Sequence, residues 1–392
     1  MSPAPGPWLR LCAVGAAAAT GVAVVSGPLG LTHRALVGIA LPLLAAVAIA
    51  AWQSYPRLRL ASSAAVAAFA GASLTWWAAP VHVALAAVAF AAAVVAAVLS
   101  FRGAPVPGGP RRDYVTLTKP RIMSLLLVTG AGGMFVGAQG VPPLGDLAVM
   151  LLGLALACGG ASALNHLLDA DIDRLMGKRT ERRPVAAGRV PPARALEFGL
   201  ALSATSFVLL VSLANVLTAV LALVGNLFYV LVYTRWLKRS TAQNIVIGGA
   251  AGAVPPLVGY AAATGSLALP ALWLFLVVFL WTPPHFWALA LLIKDNYAAA
   301  RVPMLPVVRG DRETARQIVL YSVVLVAFTL AVTPWLGPLY GVTAAALGGA
   351  FLWLAWRLRR DLSRRRAALL FHYSLLYLAL LFAAAAIDPV VL

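Results

Sequence analysis

Long apolar stretches separated by short polar interruptions run through the whole chain. About 20 such residues in a row suffice for a helix to cross the hydrocarbon of a bilayer. The pattern predicts spans near 11–29, 34–52, 60–79, 82–101, 120–138, 145–166, 195–212, 214–233, 244–263, 269–291, 317–335, 339–356 and 367–387. The first of these, behind Arg10, reads as a span and not as a cleaved signal peptide, because no cleavage site leads into a soluble domain. Gly103-Ala104-Pro105-Val106-Pro107-Gly108-Gly109-Pro110 is the clear linker, since Pro and Gly there break helix and strand alike. The expectation is an all-α, polytopic membrane protein: a four-helix module over 1–109 followed by a nine-helix bundle over 110–392.

Composition removes the alternatives. The 392 residues are 62% apolar and 11% charged, against about 45–50% and about 25% for soluble domains, which excludes both a soluble globular protein and a disordered one. Thirty Lys and Arg against twelve Asp and Glu give a net charge of +18. On a soluble chain that excess would suggest nucleic acid. Here the bases sit between apolar runs, and topology explains them without a nucleic-acid partner. Loop by loop they fall on one side of the predicted layout, with Arg34 alone on the other. Because Lys and Arg collect in cytoplasmic loops, the N-terminus is expected inside and the C-terminus outside a cell membrane. Cys12 and Cys158 lie in apolar runs and form no disulfide framework or ligand spacing.

A few polar residues are not explained by membrane burial. Asn165, Asp169 and Asp173 follow a long apolar span at intervals of four, so on a helix they share a face, with Asp171 pointing elsewhere. Carboxylates at the hydrocarbon boundary are costly, like charges one turn apart repel, and the C-terminal end of a helix disfavours anions. A divalent cation removes that repulsion, and oxygen ligands suit Mg2+ far better than zinc. Arg174, Lys178, Arg179, Arg182, Arg183 and Arg189 crowd the next loop. Beside a Mg2+-loaded acidic face they make a trap for a diphosphate.

These residues resemble a known family. Asn165-x3-Asp169-x3-Asp173 is similar to the first aspartate-rich motif of the intramembrane aromatic prenyltransferases. Further blocks resemble their protoheme IX farnesyltransferase (heme O synthase) branch: Leu117-Thr118-Lys119-Pro120-Arg121, Asp169 through Met176, Arg179-Thr180-x-x-Arg183-Pro184, Tyr233-Thr234-x-Trp236-Leu237-Lys238-Arg239, Asn244 through Ala250, Trp281 through Leu289, and Val302 through Val308. The resemblance covers about 113–392. It implies a nine-helix bundle, Mg2+ as cofactor, and transfer of a farnesyl group from farnesyl diphosphate to heme b within the lipid bilayer. It further implies that Asn165, Asp169 and Asp173 hold the metal, that Arg174, Lys178, Arg179 and Arg183 meet the diphosphate, and that Lys238 and Arg239 meet diphosphate or a heme propionate. The family's second acidic site places an acid just before a Tyr, where this chain has Asn296 before Tyr297 and its acid one residue earlier, at Asp295. Either Asp295 supplies the carboxylate with Asn296 as a neutral ligand, or that metal site is weakened. His285, in the Pro-Pro-His-Phe-Trp block, becomes a candidate contact for the heme iron or a propionate.

Ahead of the linker, His33 and His82 open the second and fourth predicted spans. The region weakly resembles one four-helix half of heme A synthase, which implies a degenerate module whose two histidines bind heme and a heme A synthase as product acceptor. Two other readings stand beside heme prenylation: prenylation of a quinone precursor or another tetrapyrrole, and cation transport along the acidic face.

Overall fold

A computed structural model describes residues 7–25, 31–54, 58–74, 88–90, 92–94, 96–97 and 110–391. Every regular element among them is a helix. In the first hundred residues α1 (Pro7–Val25), α2 (Leu31–Ser54) and α3 (Arg59–Leu74) pack around a core of their own that includes Leu9, Leu44, Val47, Leu58, Phe69 and Ala93. Buried Thr20 and Ser62 donate back to the carbonyls of Ala16 and Leu58, so their hydroxyls enter this apolar core with a partner. The expected linker at 103–109, the His82 site and the His33 side chain lie outside the described residues, as does most of the expected span 82–101.

Beyond the short α4 (Arg111–Leu117), nine helices among the described residues are long and apolar enough to cross a membrane. They are α5 (Pro120–Ala138), α6 (Leu144–Leu168), α9 (Pro192–Leu213), α10 (Val216–Ser240), α11 (Asn244–Thr264), α12 (Leu269–Leu292), α14 (Leu305–Ala331), α16 (Pro338–Arg360) and α17 (Arg364–Val391). Short helices α7 (Ala170–Leu175) and α8 (Lys178–Glu181) follow α6, α13 (Lys294–Ala299) follows α12, and α15 (Thr333–Leu336) follows α14. The chain is therefore a multi-pass membrane protein built on the expected nine-helix bundle.

Two spans differ most from the expectation drawn from hydropathy. The fourth of the nine runs on to Ser240 instead of ending near 233, because Phe228–Leu237 winds as a π-helix through Arg235. The seventh begins at Leu305, twelve residues before its apolar part, and ends at Ala331. Its first turns carry Arg309, Asp311, Arg312 and Glu313 and break at Gly310 (φ 76°). Charges at a helix end in contact with water hide such turns from a hydropathy reading.

In lipid, close helix contact depends on small residues. At the crossing of α5 and α11, a Cβ on Gly259 would collide with the backbone of Gly130 and Met134, so only glycine allows the approach. The main core lies among α11, α12, α14, α16 and α17 and holds Trp281, Trp287, Tyr340, Phe351, Tyr377 and Phe382. At one end of the bundle Asp388 of α17 accepts from the amides of Leu339 (3.2 Å) and Tyr340 (2.5 Å), capping α16 from a neighbouring helix. The functional residues gather at the other end.

Candidate active site

Helix α6 stops at Leu168, and α7 restarts at Ala170 with Asp169 between them. Two backbone bonds bridge the break, Asp169 N to Asn165 O (2.9 Å) and Asp173 N to Asp169 O (2.8 Å). The four-residue spacing thus survives the bend, and Asn165, Asp169 and Asp173 are all buried, the two acids at 0% exposure. Asp171 is exposed, as its position on the helix requires.

Cations from three other segments converge on these acids. Lys238, at the end of the π-helical turn of α10, donates to Asp169 Oδ2 (2.5 Å). Arg183 donates to Asp173 Oδ1 (2.7 Å). Lys119 donates to Asn165 Oδ1 (2.7 Å), while the Asn165 amide donates to Asp169 Oδ2 (2.8 Å) and Thr234 Oγ1 (3.1 Å). Thr234, within the π-helical stretch of α10, and Lys238, just after it, both reach the acidic motif at the end of α6. Lys119 sits at the entry to α5 in the left-handed region (φ 51°), a conformation costly for a residue with a Cβ. Burial, with Arg183 nearby, pulls its ammonium down to about 7, against the pull of Asp169. Burial likewise pushes the Asp173 carboxyl upward, with the Arg183 charge opposing.

The acidic pair is incompletely satisfied. Asp169 Oδ1 and Asp173 Oδ2 are buried with no hydrogen-bond partner. Buried carboxylate oxygens are seldom left so, and an orphaned pair one turn apart fits a hard cation that takes a few carboxylate oxygens and draws its remaining ligands from water and substrate phosphates. Mg2+ therefore fits this donor set through Asp169 and Asp173. Asn165 differs: its oxygen already accepts from Lys119, and its amide braces Asp169.

The remaining expected contacts separate into two groups. Asn296 of α13 donates its amide to Met176 O, tying this loop to the acidic motif, and Gly177 (φ 98°) has no room for a Cβ beside it. Asp295 points away, exposed, beside a surface hollow lined by Lys294, Asp311 and Arg364. The position before Tyr297 thus faces the site, and the neighbouring acid does not. Tyr297 is buried, and its phenol is pushed up to about 12 by burial, with the charge of Asp169 adding. Arg239 binds Asp171 through both terminal nitrogens (2.7 Å each) and caps Leu168 O, so it braces the bend. Its hydrogen bond holds the Asp171 carboxyl down at about 2. Arg174 is exposed and donates to Ala186 O; Lys178 is exposed; the side chain of Arg179 lies outside the described residues. His166 is buried beside Asn165 with neither ring nitrogen hydrogen-bonded.

His285 stands two turns before the end of α12, about 10 Å along the axis at 1.5 Å per residue. Its Nδ1 lies 2.6 Å from Ser374 Oγ of α17, and its ring is stacked between Trp281 and Phe371. Sequence reasoning missed Lys119, Thr234 and Ser374 as partners of site residues. Lys119 and Thr234 lie within blocks that carry the family resemblance, which is the available signal. Nothing in the sequence marks Ser374.

Residues 125–382 match the UbiA prenyltransferase family. A protoheme IX farnesyltransferase of Symbiobacterium thermophilum is 55% identical over 281 residues, covering 71% of this chain and 94% of that relative. One of Trichodesmium erythraeum is 52% identical over 281 residues, covering 71% and 85%. A third, from a Roseiflexus species, is 53% identical over 283 residues, and there the match spans only 53% of the relative's length. Among solved structures, digeranylgeranylglyceryl phosphate synthase aligns with TM-score 0.60 at 17% identity, covering 72% of this chain and 99% of that one. A UbiA homolog from Archaeoglobus fulgidus bound to GPP and Mg2+ aligns with TM-score 0.54 at 17% identity, covering 70% and 99%. The shared fold, the ordered motifs and the close relatives agree: the chain belongs to the UbiA prenyltransferase family.

Proposed function

We propose that this chain transfers a farnesyl group from farnesyl diphosphate to a vinyl group of heme b, giving heme O, with Mg2+ as cofactor. The observation that carries the reading is the pair of buried, half-satisfied carboxylates at Asp169 and Asp173, ringed by Lys119, Lys238 and Arg183. The names of the relatives supply the acceptor.

When bound, Mg2+ supplies positive charge beside the oxygens of the leaving diphosphate. The chain's own residues do the rest. Arg183 and Lys238, from the carboxylates, and Lys119, from the Asn165 amide oxygen, are placed to turn toward the diphosphate and stabilise the negative charge that grows as the allylic C–O bond breaks and the pair of electrons leaves with oxygen. The apolar helices shield the resulting allylic cation from water. The heme vinyl π electrons then form the new C–C bond. Water captures the cation left on the porphyrin side and loses a proton, which gives the hydroxyethylfarnesyl product. No nucleophilic side chain is required.

His285 is the heme contact in this reading, and Asn296 with Tyr297 completes the wall opposite the acidic motif. The basic loops around the site face the cytoplasm of a cell membrane, with the N-terminus inside and the C-terminus outside. Residues 1–109 form a separate membrane module, with a heme A synthase as the natural recipient of the product. Incubating membranes that contain the protein with heme b and farnesyl diphosphate tests the activity. The expected result is Mg2+-dependent gain of the mass of a farnesyl group plus a hydroxyl on the heme. Unchanged heme would exclude the activity, and a gain on a quinone precursor instead would reassign the acceptor.

A further inference from the structure

We propose that Ser374 is a positioning residue: it fixes His285 as the Nδ1–H tautomer, so that Nε2 offers a lone pair to the heme iron and not a proton to a propionate. The inference rests on the heme reading above and narrows it.

The geometry is a short relay between α12 and α17. Ser374 Oγ lies 2.7 Å from the carbonyl oxygen of Phe371 and 2.6 Å from His285 Nδ1. A serine hydroxyl has one proton, and a carbonyl can only accept. The proton of Ser374 therefore goes to Phe371, and the contact to His285 needs its proton from the imidazole. A neutral ring protonated at Nδ1 carries a bare lone pair at Nε2.

The surroundings hold the ring in place. Trp281 stacks on one contact at 4.2 Å and 15°, and Phe371 on another at 4.8 Å and 23°, so two nearly parallel rings set the imidazole plane. Trp281 in turn donates Nε1–H to the backbone carbonyl of Ser374 (2.8 Å), which ties the stacking partner to the same residue that sets the tautomer. A histidine that binds a metal commonly donates its other ring N–H to a fixed acceptor, which orients the ring and raises its basicity. Here a hydroxyl fills that place. A propionate, being acceptor-only, finds no donor at Nε2 in this tautomer.

The test is titration of the purified full-length protein with ferric heme b, followed by absorption and electron paramagnetic resonance spectra. The wild type is expected to give a histidine-ligated iron signal that His285→Ala abolishes. Ser374→Ala is expected to keep the fold, monitored by unchanged farnesyl diphosphate binding, yet to weaken heme affinity about tenfold and shift the iron spectrum. Ser374→Thr, which keeps the hydroxyl, is expected to restore both. An unchanged iron spectrum in Ser374→Ala, or in His285→Ala, would overturn the inference. The two levels stay separable. If the wild type prenylates heme while His285→Ala leaves the iron signal intact, only the ligand assignment fails; if heme is never prenylated, the functional reading fails.

Discussion

At the scale of single residues, the division of labour between Asp169 and Asp295 is the sharpest consequence of the structure. Asp169 is buried among Lys238, Asn165 and an unmet need for a cation, whereas Asp295 is exposed and turned outward. Asp169→Asn is expected to lower prenylation on the order of 100-fold or more, the range for loss of one electrostatic group at a reacting centre. Asp295→Asn is expected to stay within about twofold of wild type in the same assay. Equal losses in both would contradict this placement. The spacing Asn165, Asp169, Asp173 was legible in the sequence because a helical period survives a bend. That Asn165 braces its neighbour through its amide while Lys119 occupies its oxygen was not legible, because Lys119 arrives from 46 residues away.

The Asp171–Arg239 pair gives a pH signature. The carboxyl is held at about 2, below its ordinary value of 3.8. A carboxylate with a depressed folded value contributes stability above its unfolded value and loses it as the pH falls through the folded one. The pair's contribution is therefore complete above about pH 4 and disappears toward pH 2. Because Asp171 is exposed and Arg239 half-buried, solvent screens the pair and the contribution is below about 1 kcal/mol. Thermal unfolding of Asp171→Asn in detergent is expected to fall slightly below wild type at pH 6 and to converge with it near pH 2. A constant gap across that window would remove Arg239 as the cause.

At the scale of elements, hydropathy predicted Pro120–Ala138 and Asn244–Thr264 to within a residue, because each is bounded by a turn residue and filled with apolar side chains. It failed where helices carry charge into water, at the π-helical end of α10 and the first turns of α14. Those extensions matter for function, since the first of them carries Thr234 and Lys238 to the site. The cap on α16 is equally hidden from local sequence, as Asp388 lies 48 residues beyond the Tyr340 amide it accepts from. Asp388→Ala leaves two helix-terminal amides without their acceptor and is expected to cost about 1–3 kcal/mol of stability, read as an earlier unfolding transition. A transition unchanged from wild type would show that the cap carries no load. The Gly259 crossing sets a stricter limit: Gly259→Val forces α5 and α11 apart and is expected to abolish the folded bundle, visible as loss of a monodisperse peak.

At the scale of the whole molecule, the nine membrane-spanning helices found among the described residues put a polar, charge-dense mouth at one end of an otherwise hydrocarbon-compatible body. An amphiphile with a diphosphate head and a long isoprenoid tail matches that polarity, the head at the mouth and the tail among the helices. The front helices have their own core, centred on residues such as Leu44 and Phe69. Deleting residues 1–109 is therefore expected to leave the acidic site assembled and prenylation within about threefold of wild type when expression is equal; complete loss would make the front helices part of the enzyme. The whole arrangement stands on one claim, that Asp169 and Asp173 grip a metal-bound diphosphate. Calorimetric titration of the purified protein with farnesyl diphosphate, with and without Mg2+, tests it most directly. Tight binding only with Mg2+ in the wild type, and weak binding in Asp169→Asn under both conditions, is the expected result. Equal affinity in the variant and the wild type, indifferent to the metal, would contradict it.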